Sequence, residues 1–307
     1  MKNALLITNG FIKSEKFNEI YRFLEKACLD RQVFLFSMKN TEFMMFSHSE
    51  KQLKSEFERI INKKANKEIN IDFIIFWDKD IYLAKAFERA GYKVYNNSFA
   101  IEYCDDKALT IEKLSKSEIK IPKTITAPKT FNNVGYDDGF INQFTLYCEE
   151  VLGYPYIIKE RFGSFGMQVY LVKNALEAQD CIKKIGDVPF LAQEYIKFSH
   201  GRDIRINMVG EKAVASMLRT NEKGDFRANI TIGGSMGAHE CSMEEIKIAQ
   251  TCMKELRLDF GGIDLLFGED GFYLCEVNSN AHFKNIYDFT GVNVADEIIN
   301  YILKQEE

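Results

Sequence analysis

Apolar and polar positions follow two alternating periods along the first hundred residues. The runs ALLITN (4–9), VFLF (33–36), IDFIIFW (71–77) and KVYN (93–96) are short and nearly continuous in apolar side chains, as strands covered on both faces are. Between them, residues 14–30 place Phe17, Ile20, Tyr21, Leu24 and Cys28 at helical spacing, and amphipathic helices are predicted near 50–64 and 79–90. Alternation of this kind predicts a parallel sheet covered by helices, an N-terminal α/β domain. No GxGxxG follows the first strand, which argues against a dinucleotide site and an N-terminal dehydrogenase domain.

From about residue 104 the pattern changes. A helix carrying Asp106 and Lys107 leads into KIPKTITAP (120–128), a connection stiffened by Pro122 and Pro128. A helix near 137–152, the strand YPYIIKE (154–160), a glycine loop RFGSFGMQ (161–168), the strand VYLV (169–172) and a helix near 174–185 follow. Then come strands in FLAQEYI (190–196), RDIRINMVG (202–210) and KAVASMLRT (212–220), and a long glycine-bearing loop, DFRANITIGGSMG (225–237). An amphipathic helix near 242–256, a hairpin in GGIDLLFGEDGFYLCEVNSN (261–280) and a helix at 293–304 close the chain. No internal repeat or low-complexity segment interrupts it.

Composition narrows the class. At 307 residues, with 46% apolar and 28% charged, the chain is expected to fold as two or three compact soluble units. A net charge of −5 offers no general attraction to nucleic acid or an anionic membrane. Seven scattered cysteines, never spaced CxxC, point to free thiols in a reducing compartment, against a disulfide frame or zinc site. No run approaches the about 20 apolar residues of a membrane span, and the start is too short in apolar residues for a signal sequence. A cytoplasmic protein is expected.

Three clusters carry chemistry. If Glu269-Asp270-Gly271 is a three-residue hairpin loop, with Gly271 left-handed, counting back sets Asp264 opposite Glu276, with Asn278 on the same face and Leu266, Phe272 and Leu274 toward the turn. Like charges in that position repel. Either a hard cation such as Mg²⁺ or Mn²⁺ lies among these oxygen donors, or basic side chains neutralise the acids. Second, Lys159 ends an apolar strand ahead of GSFG (163–166), whose backbone could form an anion nest or only a turn. Third, Asp203, Arg205 and Asn207 share one strand face, with Arg219, Arg227 and Asn229 following, a set suited to phosphate or carboxylate, or to a surface salt-bridge ladder.

In this order, Asp106-Lys107, YIIKERFGSFGMQV, QEYI, GRDIRINMVG, LRTNEKGDFRANITIGGS, GGIDLLF and EVNSN resemble the ATP-grasp ligases, in the ribosomal-protein glutamate-ligase-like (RimK-type) branch, over about 104–304. The resemblance implies an α/β (α+β) chain. A Rossmann-like pre-ATP-grasp domain (1–103) precedes a two-part ATP-grasp fold, with a central subdomain carrying the glycine flap (104–189) and a C-terminal subdomain carrying the metal site (190–307). It implies that Lys107 and Lys159 contact ATP phosphates under the flap Gly163, Ser164, Phe165 and Gly166. Glu194 and Tyr195 would take the adenine edge, Asp203 the ribose hydroxyls, and Arg227 and Asn229 the phosphate end. Asp264, Glu276 and Asn278 would hold two Mg²⁺, with Mn²⁺ an alternative and Glu276 bridging.

The implied reaction is an ADP-forming ligation. A γ-phosphoryl transfer activates a carboxylate as an acyl phosphate, which an amine then attacks. Arg205, Arg219 and Arg227 are the implied catalytic groups, and the Gly233-Gly234 backbone the implied carboxylate cradle. The implied partners are an amino acid and a carboxylate-bearing small molecule, peptide or protein tail, with no nucleic acid and no membrane, in a homo-oligomer (dimer or tetramer). A nucleotide-binding regulatory or scaffold protein of the same fold is the competing reading. The segment SNAHFKNIYDFTGVN (279–293) departs from the branch, which follows its EVN with a small residue and proline, so substrate identity does not carry over. His282 is expected to be a surface histidine rather than a base, as are His200 and His239.

Overall fold

The computed structural model describes residues 1–44, 49–163, 166–230 and 233–307. Its first sheet is parallel, ordered β2-β1-β3-β4, from β1 (Asn3–Thr8), β2 (Phe34–Lys39), β3 (Phe73–Trp77) and β4 (Val94–Tyr95). Helices α1 (Glu15–Asp30), α2 (Glu50–Ala65) and α3 (Ile81–Arg89) connect these strands. One sheet face, with Leu5, Ile7, Ile74 and Phe76, packs on Leu53, Phe57 and Phe87. The other face, with Leu6, Phe73, Ile75 and Trp77, packs on Ile20 and Leu24 and on side chains from the end of the chain. Burial on both faces explains why these strands read as unbroken apolar runs.

A second sheet, antiparallel and ordered β5-β8-β6-β7, comprises β5 (Thr124–Thr126), β6 (Tyr156–Glu160), β7 (Val169–Val172) and β8 (Phe190–Glu194). It is backed by α6 (Asp138–Leu152) and α7 (Ala175–Ile185) through Phe144, Ile158, Ile182 and Phe190. Although β8 begins after residue 189, it pairs between β5 and β6, so the second sheet extends to Glu194.

The third sheet is antiparallel, ordered β11-β10-β9-β12-β13. It consists of β9 (Arg202–Val209), β10 (Lys212–Thr220), β11 (Ser235–Ala238), β12 (Phe260–Phe267) and β13 (Phe272–Asn278). On one face Ile204, Ile206, Ile263 and Leu265 pack against α8 (Met243–Glu255) and against Ala100, Cys104 and Leu114 from α4 (Ser98–Asp105) and α5 (Lys107–Leu114). Helices α9 (Lys284–Thr290) and α10 (Val294–Gln305) return to the first sheet, so Ile286, Ile298 and Ile302 share a core with Leu6 and Ile75. Trp77 and Phe260 stack across this seam at 5.5 Å.

Several local expectations are corrected. The helix expected around Asp106 is two helices, because Asp106 leaves helical geometry (φ −97°, ψ 106°) and caps α5 by accepting from the Ala108 N–H at 2.9 Å. The loop 225–237 ends inside β11, which pairs with β10. The segment 279–293 contains a short helix, α9, which Lys284 opens.

The hairpin is corrected twice. Phe267 pairs with Phe272, so the loop has four residues, Gly268 to Gly271, closed by the Gly268 N–H on the Gly271 carbonyl at 2.7 Å. A bulge at Cys275 then restores the register, and Asp264 does face Glu276. The bulge also turns Leu274 into the α8 core beside Leu265, away from the face expected for it. Gly271 has the expected positive φ, +120°.

No helix among the described residues is long and apolar enough to cross a membrane, and all seven cysteines are free.

Candidate active site

The second and third sheets enclose a cleft of about 910 Å³, open mouth included. Its apolar end is walled by Ile157, Val169, Ile196 and Leu266, with Tyr195 and Phe226 at 6.4 Å between ring centroids. Its polar end holds Lys107, Lys159, Arg227 and Asn229.

Each cation is positioned by its element. Lys107 is the first residue of α5, and Arg161 anchors that turn twice, by bonding to the Asp106 carboxylate and by accepting the Lys107 N–H at 3.2 Å. The Lys107 ammonium then reaches the Gly163 carbonyl (3.0 Å) and stands 3.7 Å from the Glu276 carboxylate. Lys159 is buried at the end of β6 and donates to the Gln193 amide oxygen at 2.7 Å, and Gln193 donates on to Thr124 at 2.8 Å. Burial pushes the Lys159 pKa down, since desolvation penalises its charge. Arg227 donates to the Gly166 carbonyl at 2.7 Å and forks onto Asp225. Gly166, at φ +72°, lies so near Asn229 that a Cβ there would sit 2.8 Å from its amide oxygen. Thus both described ends of the glycine loop are tied to cations; Ser164 and Phe165 lie outside the described residues.

The floor is a buried ladder of acids and arginines. Alternation along β9 puts Asp203, Arg205 and the buried Asn207 on one face, with Asp203 lining this cleft, while Ile204, Ile206 and Met208 enter the core. The ladder runs across strands, not along β9. Arg219 forks onto Asp203 (2.5 and 2.8 Å) and reaches Asp264 (2.9 Å), and Arg205 forks onto Asp264. Gly262 makes room, because a Cβ there would stand 2.5 Å from Ala281 and 3.2 Å from Arg205. Burial pushes the Asp264 carboxyl up, but its two arginines outweigh that and hold it below the ordinary range. Asp203 is raised by burial, and among the described residues its direct partner is Arg219.

A second cavity of about 1360 Å³ lies on the other side of this ladder, against the C-terminal ends of β1 and β3 and the start of α1. Asn9, Lys16, Phe17, Trp77 and Asp78 face Arg205, Asn278, Asn280 and His282 across it. Arg219, Asn229 and Glu276 line both cavities. Asn96 fixes the seam. Its buried amide donates to the Phe260 and Ser279 carbonyls (both 2.8 Å) and accepts from Asp259 (2.7 Å) and Phe260 (3.2 Å), so it is fully satisfied.

Comparison with known proteins gives the family and the fold. A family model described as a RimK-like ATP-grasp domain matches residues 104–302. The chain belongs to the RimK-like ATP-grasp family. It is 33% identical over 224 residues to the probable alpha-L-glutamate ligase 1 of Shewanella sp. (strain MR-4), covering 72% of this chain and 71% of that one. It is 32% identical over 232 residues to the human N-acetylaspartylglutamate synthase A, covering 74% of this chain and 56% of that protein. In fold it matches the D-alanine–D-alanine ligase of Bacillus anthracis complexed with ATP, with TM-score 0.70 and 17% identity over 100% of this chain and 97% of that one.

Within this ATP-grasp chain, the sequence-derived residues Lys107, Lys159, Gly163, Gly166, Glu194, Tyr195, Asp203, Arg219, Arg227, Asn229, Asp264 and Glu276 all line the first cleft. Arg205 and Asn278 line the second. Several are engaged with protein groups: Glu194 accepts from the Lys123 N–H (3.2 Å), its own N–H goes to the Lys123 carbonyl (2.8 Å), and the Tyr195 hydroxyl meets His200. The Gly233 and Gly234 N–H groups, expected to cradle a carboxylate, donate to the Ile230 and Asn229 carbonyls instead. His282 is not a surface histidine. Its Nε2 donates to the Lys16 carbonyl (2.7 Å), its Nδ1 is buried, and burial lowers its pKa. His239, half-buried against Glu245 at 2.6 Å, is likewise corrected, while His200 is exposed.

Asp264, Glu276 and Asn278 could hold a hard cation. An ionised carboxylate offers about four lone-pair positions, and the arginines use three on Asp264. Among the described residues Glu276 has only the distant Lys107, and the buried Asn278 amide nitrogen has no partner. Among the described residues no three His, Cys, Asp or Glu side chains form a metal centre, so an ion here would also need amide or ligand oxygens.

Sequence reasoning missed Asp78 and Gln193. The first had a signal, since it directly follows the strand FIIFW, and open parallel sheets bind ligands at the C-terminal ends of strands.

Proposed function

We propose that this protein is an ATP-dependent, ADP-forming ligase that joins a carboxylate to an amine through an acyl phosphate. The observation that carries the reading is the shared wall of Arg219, Asn229 and Glu276, which lets phosphoryl transfer on one side meet acyl transfer on the other. ATP would lie in the first cleft, with adenine at the apolar end beside Glu194 and Tyr195 and its phosphates toward Lys107, Lys159 and Arg227. Lys159 supports this most directly, because a desolvated ammonium bonded only to an amide oxygen gains strongly from an anion. Asp203 would meet the ribose hydroxyls with lone pairs that Arg219 leaves free.

Asp264, Glu276 and Asn278 would hold two Mg²⁺ ions, or Mn²⁺ in their place. Bound there, the metal supplies positive charge against the triphosphate and removes the repulsion between the paired acids. The substrate carboxylate would take the γ-phosphoryl group and release ADP. The amine would then attack the carbonyl carbon and expel phosphate. Arg205 and Arg219 face that wall and would stabilise the negative oxygen of the tetrahedral intermediate. The substrates would be an amino acid together with a small molecule, peptide or protein tail, and the relatives' names make glutamate a leading candidate. The division at 1–103, 104–189 and 190–307, the cytoplasmic setting and a dimer or tetramer belong to the same proposal.

The test is incubation with ATP, Mg²⁺ and hydroxylamine over a panel of amino acids and short peptides. Release of ADP with hydroxamate formation is expected. The second reading, a regulatory nucleotide-binding protein, is favoured by the acid–arginine ladder, which is charge-satisfied without any ligand. Nucleotide binding with no turnover across the panel would decide for it.

A further inference from the structure

The Lys159 ammonium is buried, yet among the described residues its hydrogen-bond partner is a neutral amide, Gln193 Oε1 at 2.7 Å. Taking a cation out of water without an opposite charge beside it is costly, and burial pushes the Lys159 pKa down accordingly. The arrangement therefore asks what the amide does that a carboxylate would not.

The second sheet sets the geometry. Gln193 on β8 stands opposite Ile157 on β6, and Lys159 lies two residues further along β6. Side chains two apart on a strand share a face, so Gln193, Ile157 and Lys159 all line the first cleft, while Tyr156, Ile158 and Ala192 enter the core behind. Diagonal neighbours across a sheet are about 7–8 Å apart, a span that two long side chains bridge. On its other side Gln193 stands opposite Thr124 on β5. Gln193 Nε2 donates to Thr124 Oγ1 at 2.8 Å, and the Thr124 hydroxyl donates to the Pro122 carbonyl at 2.7 Å.

An ammonium carries donors and no acceptor, so it sets the direction of every bond that follows. Gln193 must turn its oxygen to Lys159 and its NH₂ to Thr124, whose own proton then goes to Pro122. A carboxylate in place of this amide would pair with the lysine and compete with an anionic ligand for its charge. The amide fixes the position of the ammonium and leaves its charge uncompensated.

We infer that Gln193 and Thr124 are positioning residues for nucleotide phosphate: their relay holds the Lys159 ammonium at the polar end of the first cleft with its charge free for the ligand. Both act through Lys159. The inference rests on placing ATP in that cleft.

A double-mutant cycle on the full-length protein tests it. A non-hydrolysable ATP analogue with Mg²⁺ and, separately, adenosine are titrated by calorimetry. Gln193→Leu is expected to weaken the analogue about tenfold, the worth of a hydrogen bond to a charged group, and to leave adenosine unchanged. In a Lys159→Met background the same substitution is expected to change analogue affinity less than about twofold, because the group it acts through is gone. Thr124→Val is expected to weaken the analogue about two- to fivefold, whereas Thr124→Ser keeps the hydroxyl and the affinity. Thr124 lies on an edge strand, so this pair decides the matter even where Gln193→Leu fails to fold.

Unchanged analogue affinity in Gln193→Leu, an equal loss for adenosine, losses that add in the Lys159→Met background, or Thr124→Ser behaving as Thr124→Val overturns the inference. Those results with a wild type that binds the analogue sink the relay alone. A wild type that binds the analogue no better than adenosine sinks the placement of ATP phosphates beside Lys159, and the relay with it. The expected binding pattern without ADP or hydroxamate formation sinks the ligase reading and leaves the relay standing.

Discussion

The two cavities share a wall and treat their polar groups in opposite ways. In the first cleft the strongest charges are already matched: Arg219 links Asp203 to Asp264, Arg205 covers Asp264, and Lys107 and Arg227 hold the carbonyls of Gly163 and Gly166. In the second, buried acceptors on Asp78, Asn280 and His282 go unused. Lys159 is the exception in the first cleft, a buried ammonium held by the neutral Gln193 amide.

The sharpest test of that contrast is stability. Arg219→Met leaves two buried carboxylates short of a partner and is expected to cost about 3–5 kcal/mol in urea unfolding, with Asp78→Asn nearly neutral beside it. Comparable losses in both would erase the distinction. Next comes the shared wall. Glu276→Gln is expected to cut ADP release about 10²–10³-fold while the protein stays folded, because Glu276 is half-exposed and has only a long contact to Lys107. Retained turnover would remove the junction from the chemistry. Lys159→Met should weaken binding of an ATP analogue by about ten- to hundredfold, as expected for losing a buried charged contact to phosphate, and leave binding in the second cavity alone.

The smallest effect concerns pH. The arginines depress Asp264, so its contribution to stability is present above the ordinary carboxylate value and is lost as pH falls through its lower folded value. Asp78 is raised by burial, so its contribution is full below the ordinary value and is lost as pH rises through its folded value. Unfolding free energies of the wild type and of the two Asp→Asn variants, taken from about pH 3 to 7 in chelator-containing buffer, should therefore diverge with opposite slopes, by about 1.4 kcal/mol per pKa unit. Parallel profiles would mean that the two acids feel the same environment.

The hairpin shows how far local pattern carries. Alternation correctly put Asp264 across from Glu276, yet it did so through two offsetting errors, a loop one residue longer and a bulge at Cys275. Neither has a strong sequence signature, since Gly268 and Gly271 both suit a turn. The strand β11 was missed because SMGA has no apolar alternation and exists only by pairing with β10. His282 was misread for a different reason: what buries it is the first turn of α1, some 266 positions away in the chain.

By itself the sequence determined most of the elements, their order, the face of β9 that carries Asp203, Arg205 and Asn207, and the family, because periodicity and motif spacing are local properties. Only the tertiary structure decided which charges pair, that Arg219 bridges two acids, and that Asp78, Asn280 and His282 each keep a buried polar atom without a partner among the described residues. Hydrogen-bond satisfaction is set by neighbours brought together from distant parts of the chain, and no local pattern encodes which of them will be left without a partner.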